Sequence, residues 1–222
     1  MNRQTDSQRW NARYRTPQPP GAVCEVLERY QSLLPATGTA LDLACGLAGN
    51  AVLLARRGLT AYAWDVSDVV IDKVQRYARQ QGLPLIAECR DLARIAHHPS
   101  TATNGGEQCG LPRPSVAQPL FDVIVVSYYL DRGLMPWIVQ SLKPGGLLYY
   151  QTWLRADAAA EGELPGPANP AYRLSENELI ALCHGLRILV YREWSARQDS
   201  GSAAMADATA FVVAEKRHKK MD

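Results

Sequence analysis

The sequence predicts an α/β protein with a doubly wound, seven-stranded sheet that is mostly parallel, has an antiparallel edge strand and carries helices on both faces. Short apolar runs alternate with amphipathic helical stretches from residue 39 to residue 152, which is the pattern of βαβ crossovers. The run from Val123 to Val126 is β-branched throughout, as in a strand covered on both faces. Two apolar runs near the end of the chain predict an antiparallel hairpin at one edge of the sheet.

The first predicted elements surround a turn of small residues. Helical spacing of apolar residues predicts a helix over residues 21–34, which ends at Pro35. A strand over residues 39–44 leads into a glycine-bearing turn at 45–49, and an apolar helix then continues to Gly58. These elements form one strand-turn-helix unit.

The next segment predicts a second unit of the same kind. Residues 60–64 form a strand, Ser67 is the N-cap of the following helix, and Gly82 ends that helix. The helix has two faces: Val70, Val74, Tyr77 and Ala78 point to the core, whereas Lys73, Arg76 and Arg79 face solvent.

The rest of the chain continues the alternation with two interruptions. Strands are predicted over residues 83–87, 121–126, 146–152, 187–193 and 208–215, and helices over residues 136–142 and 175–183. Residues 96–120 are rich in proline and glycine, and we expect them to form a flexible insertion, with an ordered lid as the alternative. Residues 154–171 have a similar composition and predict a second irregular connection.

The composition excludes several classes of protein. The chain has 222 residues, and its 24 Lys and Arg against 22 Asp and Glu give a net charge of +2, which is too small a field to predict nucleic-acid binding. The polar start and the absence of about 18 consecutive apolar residues predict a cytoplasmic protein without a membrane partner. Five scattered cysteines without a Cys-x-x-Cys pair predict neither a disulfide framework nor a metal site.

The turn after the first strand is the first candidate binding site. Small residues at Ala44, Gly46 and Ala48 let backbone N–H groups approach a ligand closely. Asp65 ends the next strand, nineteen residues after Gly46, where a carboxylate accepts hydrogen bonds from ribose hydroxyls. This spacing predicts an adenosine-containing ligand and leaves open whether it is NAD or S-adenosylmethionine.

Two further features favour a ligand without phosphates. Asp42 is expected to lie inside the glycine turn, where its negative charge suits a ligand with an ammonium and a sulfonium better than a pyrophosphate. A Lys-Pro-Gly-Gly sequence at residues 143–146 precedes the fifth strand.

Five segments carry a family resemblance, namely LDLACGLAGNAVLLARRG, AYAWDVSDVVIDK, CRDLA, FDVIVVSYYL and LKPGGLLYYQTW. With Trp10, Arg13 and Tyr14, they resemble class I S-adenosylmethionine-dependent methyltransferases, and most of all the small bacterial group that contains tellurite-resistance and thiopurine methyltransferases. The resemblance spans residues 8–153 and, more loosely, 169–193. It implies a Rossmann-like fold with S-adenosyl-L-methionine as the cofactor.

The resemblance also implies the residues that bind the cofactor. Asp42, Ala44, Gly46 and Ala48 would form the turn around the methionine moiety, Asp65 with Val66 would hold the ribose, Asp91 and Leu92 would hold the adenine, and Ser127 would lie beside the sulfonium. Residues 1–20 would fold over the cleft, with Trp10 and Tyr14 against the cofactor and Arg13 available for its carboxylate. Residues 21–217 would form one methyltransferase domain, and residues 218–222 a basic tail.

The end of the fourth strand predicts the pocket for a small-molecule acceptor. In this type of fold the carboxyl ends of the strands face the ligand, so Tyr128 and Tyr129 would wall the pocket, with Trp153 opposite. Arg132 would hold an anionic acceptor. Thiolates and oxyanions of selenium or tellurium need no general base, because they carry no proton that must be removed.

The sequence leaves several alternatives open. Asp42 could cap the following helix, and Asp91 could pair with Arg90 or Arg94 at the surface. Ala44 and Ala48 replace glycines that are usual in the family, and alanine keeps the turn if φ is negative there. The rival functions are an NAD-dependent oxidoreductase and a module that binds S-adenosylmethionine without transferring a methyl group. The oligomeric state also stays open.

Overall fold

The computed structural model describes residues 5–97, 120–155, 165–194 and 208–218. Its seven strands are β1 (Gly38–Leu43), β2 (Leu59–Asp65), β3 (Leu85–Cys89), β4 (Phe121–Ser127), β5 (Leu142–Trp153), β6 (Leu186–Trp194) and β7 (Thr209–Lys216). They form one sheet in the order β3-β2-β1-β4-β5-β7-β6. β1 to β5 are parallel neighbours, while β7 runs antiparallel to both β5 and β6. The predicted fold class, including the closing hairpin at the edge, is confirmed.

The helices of the described chain are α1 (Asp6–Arg13), α2 (Glu25–Arg29), α3 (Gly49–Arg56), α4 (Asp68–Gln81), α5 (Leu92–His97), α6 (Met135–Ser141) and α7 (Glu178–Leu182). The sequence predicts α3, α4, α6 and α7. It does not predict α1 or α5, because neither has a long apolar stripe. Ser67 caps α4 through a bond from the Val70 N–H, and Gly82 ends it in the left-handed conformation, as predicted.

The predicted helix over residues 21–34 is wrong in its extent. Only α2 and a short 3₁₀ turn at Gln31–Leu33 are helical, and residues 21–24 are not. The reason is tertiary: the Gly21 N–H donates to the Leu47 carbonyl at 3.0 Å, and the Cys24 N–H donates to Asn50 Oδ1 at 3.0 Å. These bonds hold residues 21–24 against the turn after β1 and replace helical hydrogen bonds.

Two strands begin two or more residues away from the predicted position. β3 starts two residues late, because the Leu83 N–H still donates to the Ala78 carbonyl at the end of α4. β5 starts early and includes the Lys-Pro-Gly-Gly sequence. There Lys143 Nζ donates to Asp122 Oδ2 at 2.7 Å and to Thr39 Oγ1 at 3.3 Å. Lys143 of this motif thus links β5 to β1 and to the start of β4. The motif does not line the ligand cleft.

Both faces of the sheet are covered by apolar side chains. Val123 and Val125 of β4 pack into one cluster with α2, α3 and α4, whereas Ile124 and Val126 pack into a second cluster with α5, α6 and α7. All four side chains are fully buried, as the β-branched run predicts. Because β1, β2 and β4 are parallel, their carboxyl ends lie at the same edge of the sheet. Side chains from distant parts of the sequence meet at this edge.

Two predicted segments lie largely outside the described residues: the insertion at 96–120, apart from its ends, and the basic tail beyond His218. Within the described part, no helix combines the length and the apolar character that crossing a bilayer requires.

Candidate cofactor-binding cleft

A cleft of about 510 Å³ opens at the carboxyl edge of β1, β2 and β4. Its volume suits a ligand of nucleoside size. Most of the predicted site residues line it: Trp10, Arg13, Tyr14, Ala44, Gly46, Ala48, Asp65, Val66, Asp91, Leu92, Ser127, Tyr128 and Tyr129. Asp42 and Arg132 do not, and neither does Trp153, which was predicted to line the pocket opposite the tyrosines.

The turn after β1 has an unusual backbone. Ala44, Gly46 and Ala48 have φ angles of 52°, 50° and 56°, all in the left-handed region. The condition of a negative φ at both alanines is therefore not met, although the turn is formed. A left-handed alanine costs about 1–2 kcal/mol, and the surrounding hydrogen bonds must offset that cost. One of them joins the Ala48 N–H to the Cys45 carbonyl at 2.8 Å.

Asp65 occupies the predicted position at the end of β2 and lines the cleft with only 6% of its surface exposed. Its Oδ2 accepts from the Gly46 N–H at 3.0 Å, and its Oδ1 accepts from the Ser67 N–H at 2.9 Å. Burial raises the pKa of this carboxyl, while the two N–H groups act in the opposite direction. Each oxygen keeps a lone pair for a further donor.

Asp42 lies behind the turn and does not face the cleft. It is fully buried; its Oδ1 accepts from Asn50 Nδ2 at 3.2 Å, and its Oδ2 accepts from the Ala51 N–H at 3.2 Å. The alternative of a helix cap is therefore correct, because Ala51 lies in the first turn of α3. Burial raises the pKa of Asp42 to about 7. Asp42 is not a contact that separates a sulfonium ligand from a pyrophosphate.

Asn50 joins three parts of the site and was missed by the sequence. Its Oδ1 accepts from the Cys24 N–H, and its Nδ2 donates to Asp42 Oδ1 and, at 2.9 Å, to Ser127 Oγ. It thus connects the N-terminal region, β1 and β4. No local signal marks such a residue, since its three partners lie 8, 26 and 77 positions away.

The N-terminal segment, residues 5–20, lies along the cleft. α1 begins with a capping box formed by Thr5 and Gln8. Trp10 and Tyr14 stack with ring centroids 5.7 Å apart, and the Arg13 guanidinium lies 5.4 Å from the Trp10 ring. A Cβ added to Gly46 would lie 2.8 Å from the Tyr14 hydroxyl oxygen, so this hydroxyl sits directly against the turn. Burial, and after it the charge of Asp65, raise the pKa of Tyr14, which keeps the hydroxyl a donor.

Asp91 reaches the cleft and also forms surface contacts. Its Oδ1 accepts from the Ala93 N–H at the start of α5, and its Oδ2 forms an ion pair with Arg94 at 3.3 Å. Arg90 pairs instead with Glu88. Leu92 is buried beside it with 5% exposure.

Tyr128 forms the cleft wall at the end of β4. It is 46% exposed and has a φ of 56°. Gln151 Nε2 donates to its hydroxyl at 3.1 Å, and its ring centroid lies 4.9 Å from that of Trp153. Gln151, which the sequence did not indicate, also accepts from the Val26 N–H at 3.0 Å.

Arg132 is a correction to the predicted acceptor pocket. Its Nε donates to Glu178 Oε1, its Nη1 to the Ala171 carbonyl, and its Nη2 to the Arg173 carbonyl and Glu178 Oε2. The guanidinium therefore holds the segment before α7 and is not available to an anion in the cleft. Among the described residues, no group of three or more His, Cys, Asp or Glu side chains is arranged to hold a metal ion.

The sheet order defines a Rossmann-like fold, and the cleft lies at the edge of the sheet where such folds bind their ligands. The model of the methyltransferase domain family matches residues 13–187, so the chain belongs to this family. A comparison with curated protein sequences finds no match.

Solved structures share the fold at low sequence identity. TehB from Haemophilus influenzae is 18% identical with a TM-score of 0.63, and the match covers 87% of this chain and 62% of TehB. A protein from the conversion of a disulfide bond into a thioacetal group during echinomycin biosynthesis is 18% identical with a TM-score of 0.63, covering 97% of this chain and 93% of that one. Phosphoethanolamine N-methyltransferase 2 from Haemonchus contortus, in complex with S-adenosyl-L-methionine, is 15% identical with a TM-score of 0.59, covering 87% and 51%.

The chain thus spans less than two thirds of the length of TehB. These likenesses show the fold. Together with the family membership, they support S-adenosyl-L-methionine as the cofactor, in agreement with the sequence prediction.

Proposed function

We propose that this protein is a cytoplasmic methyltransferase that moves a methyl group from S-adenosyl-L-methionine to a small-molecule acceptor. The observation that carries the proposal is the position of the Asp65 carboxylate on a cleft of about 510 Å³, beside the backbone of the turn at 44–48. Membership of the methyltransferase domain family supports the same conclusion.

The residues of the cleft fit the cofactor chemically. Asp65 offers acceptors for the ribose hydroxyls, and Arg13 offers a cation for the methionine carboxylate. Asp91 and Leu92 offer an acceptor and an apolar contact for adenine. When bound, S-adenosyl-L-methionine supplies a methyl group attached to a positively charged sulfur.

The chain's own contribution to methyl transfer is alignment and exclusion of water. The turn at 44–48 and the N-terminal segment bound the cleft on two sides, and Tyr128 and Tyr129 wall its β4 end. The Asp65 carboxylate, which lines the cleft, favours a cationic ligand. A thiolate acceptor needs no general base at this site.

For the acceptor we propose a thiol or an oxyanion of selenium or tellurium, as in the tellurite-resistance and thiopurine group. The arginine that was expected to hold an anionic acceptor, Arg132, forms an ion pair with Glu178 instead. This favours the thiol over the oxyanion. The likeness to a protein from the conversion of a disulfide bond into a thioacetal group is in keeping with sulfur chemistry.

The test of cofactor binding is calorimetric titration with S-adenosylhomocysteine. Asp65→Ala should weaken binding roughly a hundredfold, because it removes charge-assisted hydrogen bonds to two hydroxyls. Asp72→Asn, on the exposed face of α4, is the matched control and should change affinity less than about twofold. Undiminished affinity in Asp65→Ala, or no binding by the parent protein, would overturn the proposal.

The test of transfer is a panel of thiols, selenite, tellurite and amines with radiolabelled cofactor. Labelled product with a thiol is the expected result. The second candidate function is a module that binds the cofactor and transfers nothing, and the strained Ala44 and Ala48 are the observation that favours it. Tight S-adenosylhomocysteine binding without labelled product across the panel would select that module. Binding of NAD in place of the nucleoside would select the oxidoreductase.

A further inference from the structure

The sequence predicts that Lys73 faces solvent, but in the structure its side chain forms three hydrogen bonds to the N-terminal backbone. Its Nζ donates to the carbonyls of Tyr14 at 2.7 Å, Arg15 at 2.7 Å and Pro17 at 2.9 Å. An ammonium group has three donors, so the whole hydrogen-bonding capacity of this side chain is used on one stretch of backbone.

That stretch immediately follows α1. The last carbonyls of a helix lack intrahelical partners and lie at the negative end of its dipole, and a cation there stabilises the helix end. Lys73, which belongs to α4, therefore supplies hydrogen-bond donors and a positive charge at the C-terminal end of α1.

The other bonds between α1 and α4 are also polar. Asn11 Nδ2 donates to Asp68 Oδ1 at 2.6 Å, and Ser67 Oγ donates to Asn11 Oδ1 at 2.6 Å. No residue of α1 is buried, so apolar packing contributes little to holding this helix in place. Apart from Tyr14, which packs against the core beside the turn, the N-terminal segment is attached by hydrogen bonds at two places on α4.

The same segment brings Trp10, Arg13 and Tyr14 to the cleft. We propose that Lys73 is a positioning residue for cofactor binding: it holds the N-terminal segment over the cleft, and through that segment sets the affinity for the nucleoside. The inference rests on the proposed function, since it takes the ligand of the cleft to be S-adenosyl-L-methionine. Cofactor contacts and the Lys73 bonds stabilise the same position of the segment, so each strengthens the other.

The experiment compares Lys73→Met, Lys73→Arg and Arg76→Met. Methionine keeps the length of the side chain without its donors, and arginine keeps donors and charge. Arg76 lies on the same helix with its side chain in solvent, which makes Arg76→Met a matched control. The first measurement is trypsin cleavage of the ligand-free protein after Arg9, Arg13 and Arg15, three exposed sites in the segment.

We expect Lys73→Met to be cleaved in the segment about tenfold faster than the parent, and its Kd for S-adenosylhomocysteine to rise about tenfold. Lys73→Arg should recover most of both losses, and Arg76→Met should match the parent. Saturating S-adenosylhomocysteine should slow cleavage of the parent more than that of Lys73→Met. The thermal midpoint of Lys73→Met should stay within about 2 °C of the parent, since no buried apolar residue of α1 is involved.

Parent-like cleavage of Lys73→Met would overturn the attachment, and faster cleavage with unchanged affinity would overturn the link to the cofactor. Failure of the proposed function is distinguishable from both, because it appears as absent S-adenosylhomocysteine binding in the parent, whereas cleavage of the ligand-free variants is measured without any ligand.

Discussion

At the scale of single residues, the floor of the cleft depends on two buried carboxylates with different roles. Asp65 faces the cleft and bonds to the Gly46 and Ser67 N–H groups, while Asp42 is enclosed and bonds to Asn50 and the start of α3. Desolvation raises the pKa of both, because burial disfavours the charged form. Ionisation of these buried groups near neutral pH therefore lowers the free energy of unfolding of the protein.

That cost predicts a pH dependence. With the pKa of Asp42 raised from 3.8 to about 7, the folded state binds more protons than the unfolded state between these values. The free energy of unfolding should therefore fall as pH rises through this window and level off above it. In Asp42→Asn, which cannot ionise, the fall should be shallower. Urea unfolding from about pH 5 to about pH 8 measures this, and a slope equal to that of the parent would contradict it.

Asp72→Asn is the control for this series, since Asp72 lies exposed on α4. Its profile should follow that of the parent. Asp42→Asn should also lose stability at every pH, because an amide offers one acceptor where the carboxylate oxygens accept from both Asn50 and Ala51. The difference in slope, and not the offset, reports the ionisation.

At the scale of elements, the β4 end of the cleft is supported from behind by the segment that precedes α7. A Cβ added to Gly166 would lie 2.6 Å from the Trp153 ring, so the glycine backbone packs against that ring, while the Tyr128 ring contacts Trp153 at an interplanar angle of 36°. Arg173 holds the segment by donating to the carbonyls of Pro165, Pro167 and Leu154. The position of the cleft wall is thus set by a connection that the sequence marks only as irregular.

Gly166→Ala tests this support. The φ of Gly166 is 101°, and the added methyl group must displace Trp153 and with it Tyr128. We expect kcat/KM for a thiol acceptor to fall about tenfold or more, with little change in the Kd for S-adenosylhomocysteine. Gly185→Ala is a matched control, because its φ of 86° imposes similar backbone strain while an added Cβ meets nothing within 4 Å. Equal losses in the two variants would show that strain alone is responsible.

At the scale of the whole molecule, the cleft collects side chains from the N-terminal segment, the ends of β1, β2 and β4, and the start of α5. A ligand that contacts all of them binds the folded state and not the unfolded chain. Its binding free energy therefore adds to the stability of the whole domain.

We expect S-adenosylhomocysteine at about a hundred times its Kd to raise the thermal midpoint by about 5–10 °C. Differential scanning fluorimetry measures the shift. NAD at the same concentration is the control and should leave the midpoint unchanged. A shift with NAD but none with S-adenosylhomocysteine would contradict the proposed cofactor.

Local patterns in the sequence were sufficient for the fold class and for most of the cleft. Alternation of apolar runs and amphipathic helices predicts the parallel sheet, and parallel strands necessarily bring residues at their carboxyl ends, such as Gly46, Asp65 and Ser127, to one edge. The N-cap at Ser67 and the helix end at Gly82 are equally local, because each depends on bonds within a few residues.

Only the tertiary structure determined which partner each of these polar side chains bonds to. Asp42 turns to α3, Arg132 to Glu178 and Lys73 to the N-terminal carbonyls, and the partners of the last two lie tens of residues away. Periodicity reports which face of an element is apolar, but a long polar side chain has several partners within reach, and only the packed chain fixes which of them is close enough to bond.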